Sequence, residues 1–153
     1  MSQKHPVVAV TGSSGAGTST VKKAFEHIFR RENISPVIVE GDSFHAFDRA
    51  AMKVEMAKHE DKGNRFFSHF GENANEFGKL AELFESYSKS GTGQKRYYLH
   101  SEPEAVEHNA RLGVDKKPGE FTPWEDIETG SDLMFYEGLH GLVKTENNNV
   151  AQH

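Results

Sequence analysis

Three short runs of uninterrupted apolar residues stand out along a largely polar chain: Pro6-Val7-Val8-Ala9-Val10-Thr11, Pro36-Val37-Ile38-Val39 and Leu133-Met134-Phe135-Tyr136. Continuous rather than alternating hydrophobicity marks strands buried on both faces, as in a parallel sheet covered by helices. After the first run, Val21, Phe25, Ile28 and Phe29 recur at helical spacing, with Lys22, Lys23, Glu26, Arg30 and Arg31 around the rest of the turn. Asn33 marks the stop of that helix. Strand, helix and second strand make a βαβ unit. A second helix is predicted over residues 49–59. Asn73-Ala74-Asn75-Glu76 predicts an N-cap with a capping-box Glu for a third, whose core stripe is Phe77, Leu80, Ala81 and Phe84. Residues 88–93 read as a flexible loop and 95–100 as a short strand. Residues 101–131, with Pro103, Pro118 and Pro123, read as a long loop, which in a compact domain is a functional segment or a mis-assigned one. The fold class predicted is α/β, a parallel sheet flanked by helices.

Composition narrows the classes. The 153 residues suit one domain of ordinary size. There is no cysteine, which excludes a disulfide scaffold. No run of about 18 apolar residues is present, as a membrane-spanning helix requires. A net charge of −5 argues against a dedicated nucleic-acid binder, which carries a basic excess. The N-terminus is too poor in apolar residues for a signal peptide, so the expected setting is the cytoplasm.

The first chemical signal is Gly12-Ser13-Ser14-Gly15-Ala16-Gly17-Thr18-Ser19-Thr20, between the first strand and its helix. Gly12, Gly17 and Ser19 match the G-x-x-x-x-G-K-[ST] phosphate loop in register, with Thr18 at the Lys position. Glycines let successive N–H groups point into one concavity, and the helix N-terminus adds its unpaired donors and positive dipole end. Ser19 is placed to ligate Mg²⁺. A chance Gly/Ser-rich turn is the competing explanation, and the strand–turn–helix context weighs against it. The missing Lys leaves a charge at the phosphates to be supplied elsewhere.

Two carboxylates follow strands. Asp42 comes just after the second, where ligands of open α/β sheets bind, and can accept a proton from an attacking hydroxyl. An Asx turn or helix cap is the plainer use of such a residue. Glu137 ends the third run, as a metal-serving carboxylate does in phosphate-loop proteins. His45, Arg49 and Lys53 are spaced by four and share one face if that stretch is helical. Tyr98 and His100 complete the candidates, whereas His59, His69, His108 and His140 show no metal-ligand spacing.

With these residues in view, Gly12–Thr20, Glu40-Gly41-Asp42-Ser43-Phe44-His45 and Phe135-Tyr136-Glu137-Gly138-Leu139-His140-Gly141 strongly resemble bacterial-type phosphoribulokinases of the P-loop kinase superfamily. Ser68-His69-Phe70, Tyr98-Leu99-His100 and Phe121-Thr122-Pro123-Trp124 fit the same family, whose loop also carries Thr at the Lys position. The resemblance implies transfer of the ATP γ-phosphoryl group to the 1-hydroxyl of D-ribulose 5-phosphate. It implies that residues 12–20 bind ATP, that Asp42 is the general base, and that His45, Arg49, Lys53, Tyr98 and His100 hold the sugar phosphate. It implies Mg²⁺ at Ser19 and Glu137, and Arg31 in an allosteric site for NADH. At Ala46, relatives often carry Arg. Family members are oligomeric and about twice as long, so the chain is expected to be the N-terminal part of one kinase domain. The first strand, central in the family sheet, would then lie at an edge. A related kinase of uridine or another small alcohol, and a truncated, non-catalytic nucleotide-binding module, are the alternatives.

Overall fold

The computed structural model describes residues 4–13 and 15–152, which divide into two compact units. The first comprises the chain up to Gly41, Phe77–Lys95 and the chain from Glu125 on. Its strands β1 (Val7–Thr11), β2 (Pro36–Glu40) and β5 (Leu133–Gly138) form a parallel sheet in the order β1-β5-β2. Val8 and Ile38 both register with Phe135. β5, with the bulkiest side chains of the three, takes the position between two neighbours. Met134, Phe135 and Tyr136 are fully buried there. β1 and β2, consecutive in the predicted βαβ unit, are therefore separated by β5. β1 lies at the sheet edge, as the family sheet order implied, with Ala9 exposed.

Alternation along β5 sends adjacent side chains to opposite faces. Phe135 packs against Phe25 and Phe29 of helix α1 (Thr18–Arg31), at ring-centroid distances of 5.0 and 5.5 Å. Tyr136 meets Phe84 of helix α3 (Phe77–Ser90) at 5.4 Å. Phe77, Leu80, Leu83, Phe84 and Tyr87 form the buried stripe of α3. On α1 the predicted stripe is only partly covered, with Val21 and Ile28 exposed. Asn33, at φ 54°, ends this helical stretch as predicted, and Ile34 N–H returns to the Phe29 carbonyl at 2.8 Å. Strands β3 (Gln94–Lys95) and β4 (Glu125–Asp126) form a separate antiparallel pair.

The ends of β2 and β5 come together through glycine. A Cβ on Gly138 would lie 2.8 Å from the Gly41 Cα and 2.7 Å from the Tyr136 hydroxyl. Backbone against backbone cannot yield. Gly138→Ala is therefore expected to cost about 1–3 kcal/mol, the usual range for overpacking, read as a lowered urea midpoint. An unchanged midpoint would show that the approach is not tight.

The second unit comprises Asp42–Glu76 and Arg96–Trp124. A 3₁₀ turn, Gly41–Phe44, leads into it from the end of β2. Helix α2 (Arg49–Asp61) follows, capped by Asp48, whose Oδ1 accepts the Ala51 N–H at 2.8 Å. Helix α4 (Glu102–Leu112) corrects the long loop predicted for residues 101–131. Pro103 lies in the first turn of α4, where its missing N–H costs nothing, and Gly113 ends the helix at φ 66°. Ala105 is its only buried residue, so the apolar period was too weak to signal a helix. The predicted capping box also fails. Glu72–Ala74 is a 3₁₀ turn, and the Asn75 amide donates to the carbonyls of His69 and Gly71, both at 2.8 Å. The strand predicted over 95–100 reduces to β3 and an isolated bridge from Tyr98 to Phe121.

Candidate active site

In the first unit, two glycines of the turn after β1 take backbone that other residues adopt only under strain. Gly15 and Gly17 both sit at φ 82°, where a side chain is strained. A Cβ on Gly12 would come within 2.9 Å of the Thr18 methyl. Gly17, which has no side chain to cap with, stands at the N-terminus of α1. Ser13, Gly15, Ala16, Gly17, Ser19 and Thr20 are exposed and Thr18 is half-buried. Ser14, the remaining predicted loop residue, lies outside the described residues.

Glu137 is half-buried at the end of β5 and registers with both Val10 of β1 and Glu40 of β2. Two carboxylates thus stand on adjacent strands. Lys22, one turn beyond Thr18 on α1, forms an ion pair with Glu40. Burial pulls the Lys22 pKa down, but the Glu40 hydrogen bond and the charges of Glu40, Glu26 and Glu137 outweigh it and leave it raised. Sequence reasoning placed Lys22 on the helix surface and missed this pairing. Its signal was the i+4 spacing from Thr18. Arg31 is exposed near the other end of α1 and pairs with Glu32 at 2.7 Å.

In the second unit, the Asp42 side chain, on the 3₁₀ turn, faces two histidines. His100 Nε2 lies 3.0 Å from its Oδ2, and His45 Nε2 lies 3.6 Å from Oδ1. The His100 ring presents Nδ1 to Glu104 Oε2 at 3.3 Å, and its backbone N–H donates to the same oxygen at 2.8 Å. Hydrogen bonding from His100, then from His45 when its ring is protonated, holds the Asp42 carboxyl well below the usual carboxylate range, against partial burial, which acts the other way. Asp42 is therefore ionised at neutral pH. The sign of the linkage follows: this depressed carboxyl contributes stability above its unfolded pKa, lost as pH falls through the folded value. A ¹³C carboxyl titration is expected to place the Asp42 midpoint below the ordinary value of about 3.9; a midpoint at or above it would contradict the pairing.

Asp42, His45, Arg49, Lys53 and Tyr98 all line one cavity of about 290 Å³. His100 is reached through Asp42 and packs its ring against Tyr98 at 4.9 Å. Arg49 and Lys53 share a face of α2, as predicted from their spacing, whereas His45 precedes the helix. Sequence reasoning missed His69, Phe47, Met52 and Met56, which complete the wall with Asp48. It also missed Arg96. The Arg96 guanidinium lies 3.7 Å from the Phe121 ring centroid and 4.5 Å from the Trp124 ring. Its Nε donates to the Ser43 carbonyl at 2.8 Å and its Nη2 to that of His45 at 2.7 Å. It thereby braces the backbone that carries the two cavity residues Asp42 and His45. These partners are distant in sequence and carry no local pattern. Among the described residues no three His, Asp or Glu side chains group as a metal site.

The model of the phosphoribulokinase / uridine kinase family matches residues 7–153. The chain belongs to this family. The chromosomal phosphoribulokinase of Cupriavidus necator is 56% identical over 153 residues, all of this chain and 50% of the relative. The phosphoribulokinase of Nitrobacter vulgaris is 51% identical over all of this chain and 51% of the relative. A solved structure of phosphoribulokinase from Rhodobacter spheroides superimposes with a TM-score of 0.83 at 46% identity, covering 99% of this chain and 49% of that one. The chain thus spans about half the length of the curated phosphoribulokinases it matches. The α/β fold predicted from the strand runs is the fold of this family. No helix among the described residues is long and apolar enough to cross a membrane.

Proposed function

We propose that this chain is the part of a phosphoribulokinase that cradles ATP and carries the base for transfer of its γ-phosphoryl group to the 1-hydroxyl of D-ribulose 5-phosphate, giving ribulose 1,5-bisphosphate. One observation carries the reading: an ionised Asp42 shares a cavity wall with Arg49 and Lys53. A sugar phosphate needs both a proton acceptor for its hydroxyl and cations for its dianion. A neutral nucleoside such as uridine needs only the first, so the basic α2 face favours the phosphorylated acceptor.

The roles divide by chemistry. Backbone donors from Gly12 to Thr20, Ser14 among them, would hold the nucleotide phosphates, in a turn whose glycines leave room for close approach. The Ser19 hydroxyl and Glu137 carboxylate are hard oxygen donors of the kind Mg²⁺ takes. The ion, when bound, neutralises phosphate charge. Arg49 and Lys53 would bind the acceptor phosphate, with His45 and Tyr98 beside them, and Asp42 would take the hydroxyl proton. His100 holds Asp42 in place through Oδ2. Lys22 stays charged and supplies positive potential one turn from Thr18, though its ammonium is committed to Glu40. The exposed Arg31, paired with Glu32, would meet an anionic effector, NADH in this reading, by exchanging that partner. A homo-oligomer belongs to the same reading and rests on the resemblance; a cytoplasmic setting and the absence of a nucleic-acid partner rest on the N-terminal composition and the net charge of −5.

Coupled ADP release from Mg-ATP tests acceptor choice. Turnover is expected to require ribulose 5-phosphate, and uridine is expected to give the rate seen without acceptor. Equal rates with uridine would transfer the reading to a nucleoside kinase. Mg-ATP binding without acceptor-dependent turnover would leave a nucleotide-binding module.

A further inference from the structure

His45 faces two different groups through its two ring nitrogens. Nδ1 lies 2.9 Å from Asn75 Oδ1, and Nε2 lies 3.6 Å from Asp42 Oδ1. The orientation of the Asn75 amide follows from its other contacts. Nδ2 donates to the carbonyls of His69 and Gly71, which can only accept. Oδ1 must then be the atom that faces His45, and it too can only accept. The proton on the neutral ring therefore belongs on Nδ1. Asn75 is buried and also bridges by backbone to His45, so this amide has little freedom to turn.

We propose that Asn75 is a positioning residue that fixes His45 as the Nδ1–H tautomer and leaves Nε2 as the nitrogen that gains and loses a proton at the cavity. The functional side of this rests on the kinase reading above; the tautomer itself does not. Neutral His45 then presents a lone pair toward Asp42 and the cavity, and protonated His45 presents a donor there. With Nε2 protonated instead, the ring would set a lone pair against Asn75 Oδ1 at 2.9 Å, whereas the bare Nε2 stands 3.6 Å from Asp42 Oδ1, beyond hydrogen-bond distance. The charged groups around the ring are Asp42 from the turn, Arg49 and Lys53 from α2, and Arg96 on the His45 carbonyl, with the titratable His69 ring 6.2 Å away. None of them contacts Nδ1. Asn75 also ties the carbonyl of His69, so one side chain sets the ring of one cavity histidine and the backbone of another.

The test is a long-range ¹H–¹⁵N correlation spectrum of histidine-labelled protein, which distinguishes a protonated from an unprotonated ring nitrogen. His45 is assigned by the signal that His45→Gln removes. In its neutral form, wild-type His45 is expected to show a protonated Nδ1 and a bare Nε2. Asn75→Ala is expected to shift the population toward Nε2–H. Asn75→Asp keeps an acceptor at Nδ1 but loses both loop donors, and is expected to retain Nδ1–H. That pairing separates tautomer control from loop stapling, because a purely structural Asn75 would give the same result in both variants. An Nε2–H wild type, or an Asn75→Ala protein that keeps Nδ1–H, overturns the proposal. Should Asn75→Ala not fold, Nε2–H in either of the other two proteins overturns it. Absence of acceptor-dependent turnover would sink the kinase reading while leaving the tautomer result to stand or fall by itself.

Discussion

Asp42→Asn is expected to lower ribulose 5-phosphate-dependent ADP formation by about 10²–10⁴-fold, the usual contribution of a general base, while Mg-ATP affinity stays unchanged. The substitution is close to isosteric. An asparagine carbonyl can still accept from His100 Nε2, and its amide can donate to the bare Nε2 of His45. Geometry is preserved and the charge is lost, so a fall in kcat reports the proton acceptor rather than a collapsed loop. A carboxylate held as low as Asp42 is a weak base in the ligand-free chain. Phosphoryl transfer through a loose transition state tolerates this, because the hydroxyl loses its proton late and positioning does most of the work. An incoming hydroxyl that displaces one histidine would also restore basicity. Steady-state kinetics of the variant, with ATP affinity measured by titration calorimetry, checks both halves. Wild-type turnover in Asp42→Asn would remove Asp42 from the role.

Phe135→Ala is expected to cost about 3–5 kcal/mol, the common range for emptying an aromatic core site. Phe135 is fully buried on the middle strand, and two rings of α1 pack on it at 5.0 and 5.5 Å. At roughly 2–4 °C per kcal/mol for a chain of this size, the melting temperature should fall by about 6–20 °C. Phe66→Ala is the matched control: that ring is 94% exposed, and its removal should leave the melting temperature in place. Calorimetry that finds the two variants alike would mean that the β5–α1 contact does not organise the first unit.

Much of this was legible because the strands advertise themselves. Unbroken Val-Val-Ala-Val and Leu-Met-Phe-Tyr runs read as strands buried on both faces, and both became parallel strands, but only the second is buried, because the first lies at the sheet edge with Ala9 exposed. The glycine-rich turn was legible because its glycines are needed by the backbone: Gly15 and Gly17 take a left-handed conformation and Gly12 leaves room beside Thr18. The basic face was legible from the four-residue spacing of Arg49 and Lys53. What escaped was long-range. Neither Phe121 nor Trp124 announces that it sandwiches Arg96, and Asn75 looked like a helix cap because capping residues and loop-bracing residues are chemically the same. Helix α4 escaped because Pro103 reads as a breaker until its place in the first turn is known.

Identity of the reaction product tests the central claim most directly. The chain would be incubated with Mg-ATP and ribulose 5-phosphate and followed by ³¹P NMR. A second phosphomonoester signal, coupled to the C1 protons and growing in step with ADP, is the predicted result. ADP without that signal, or no change in a folded sample shown to bind Mg-ATP, would contradict the assignment of phosphoryl transfer to this chain.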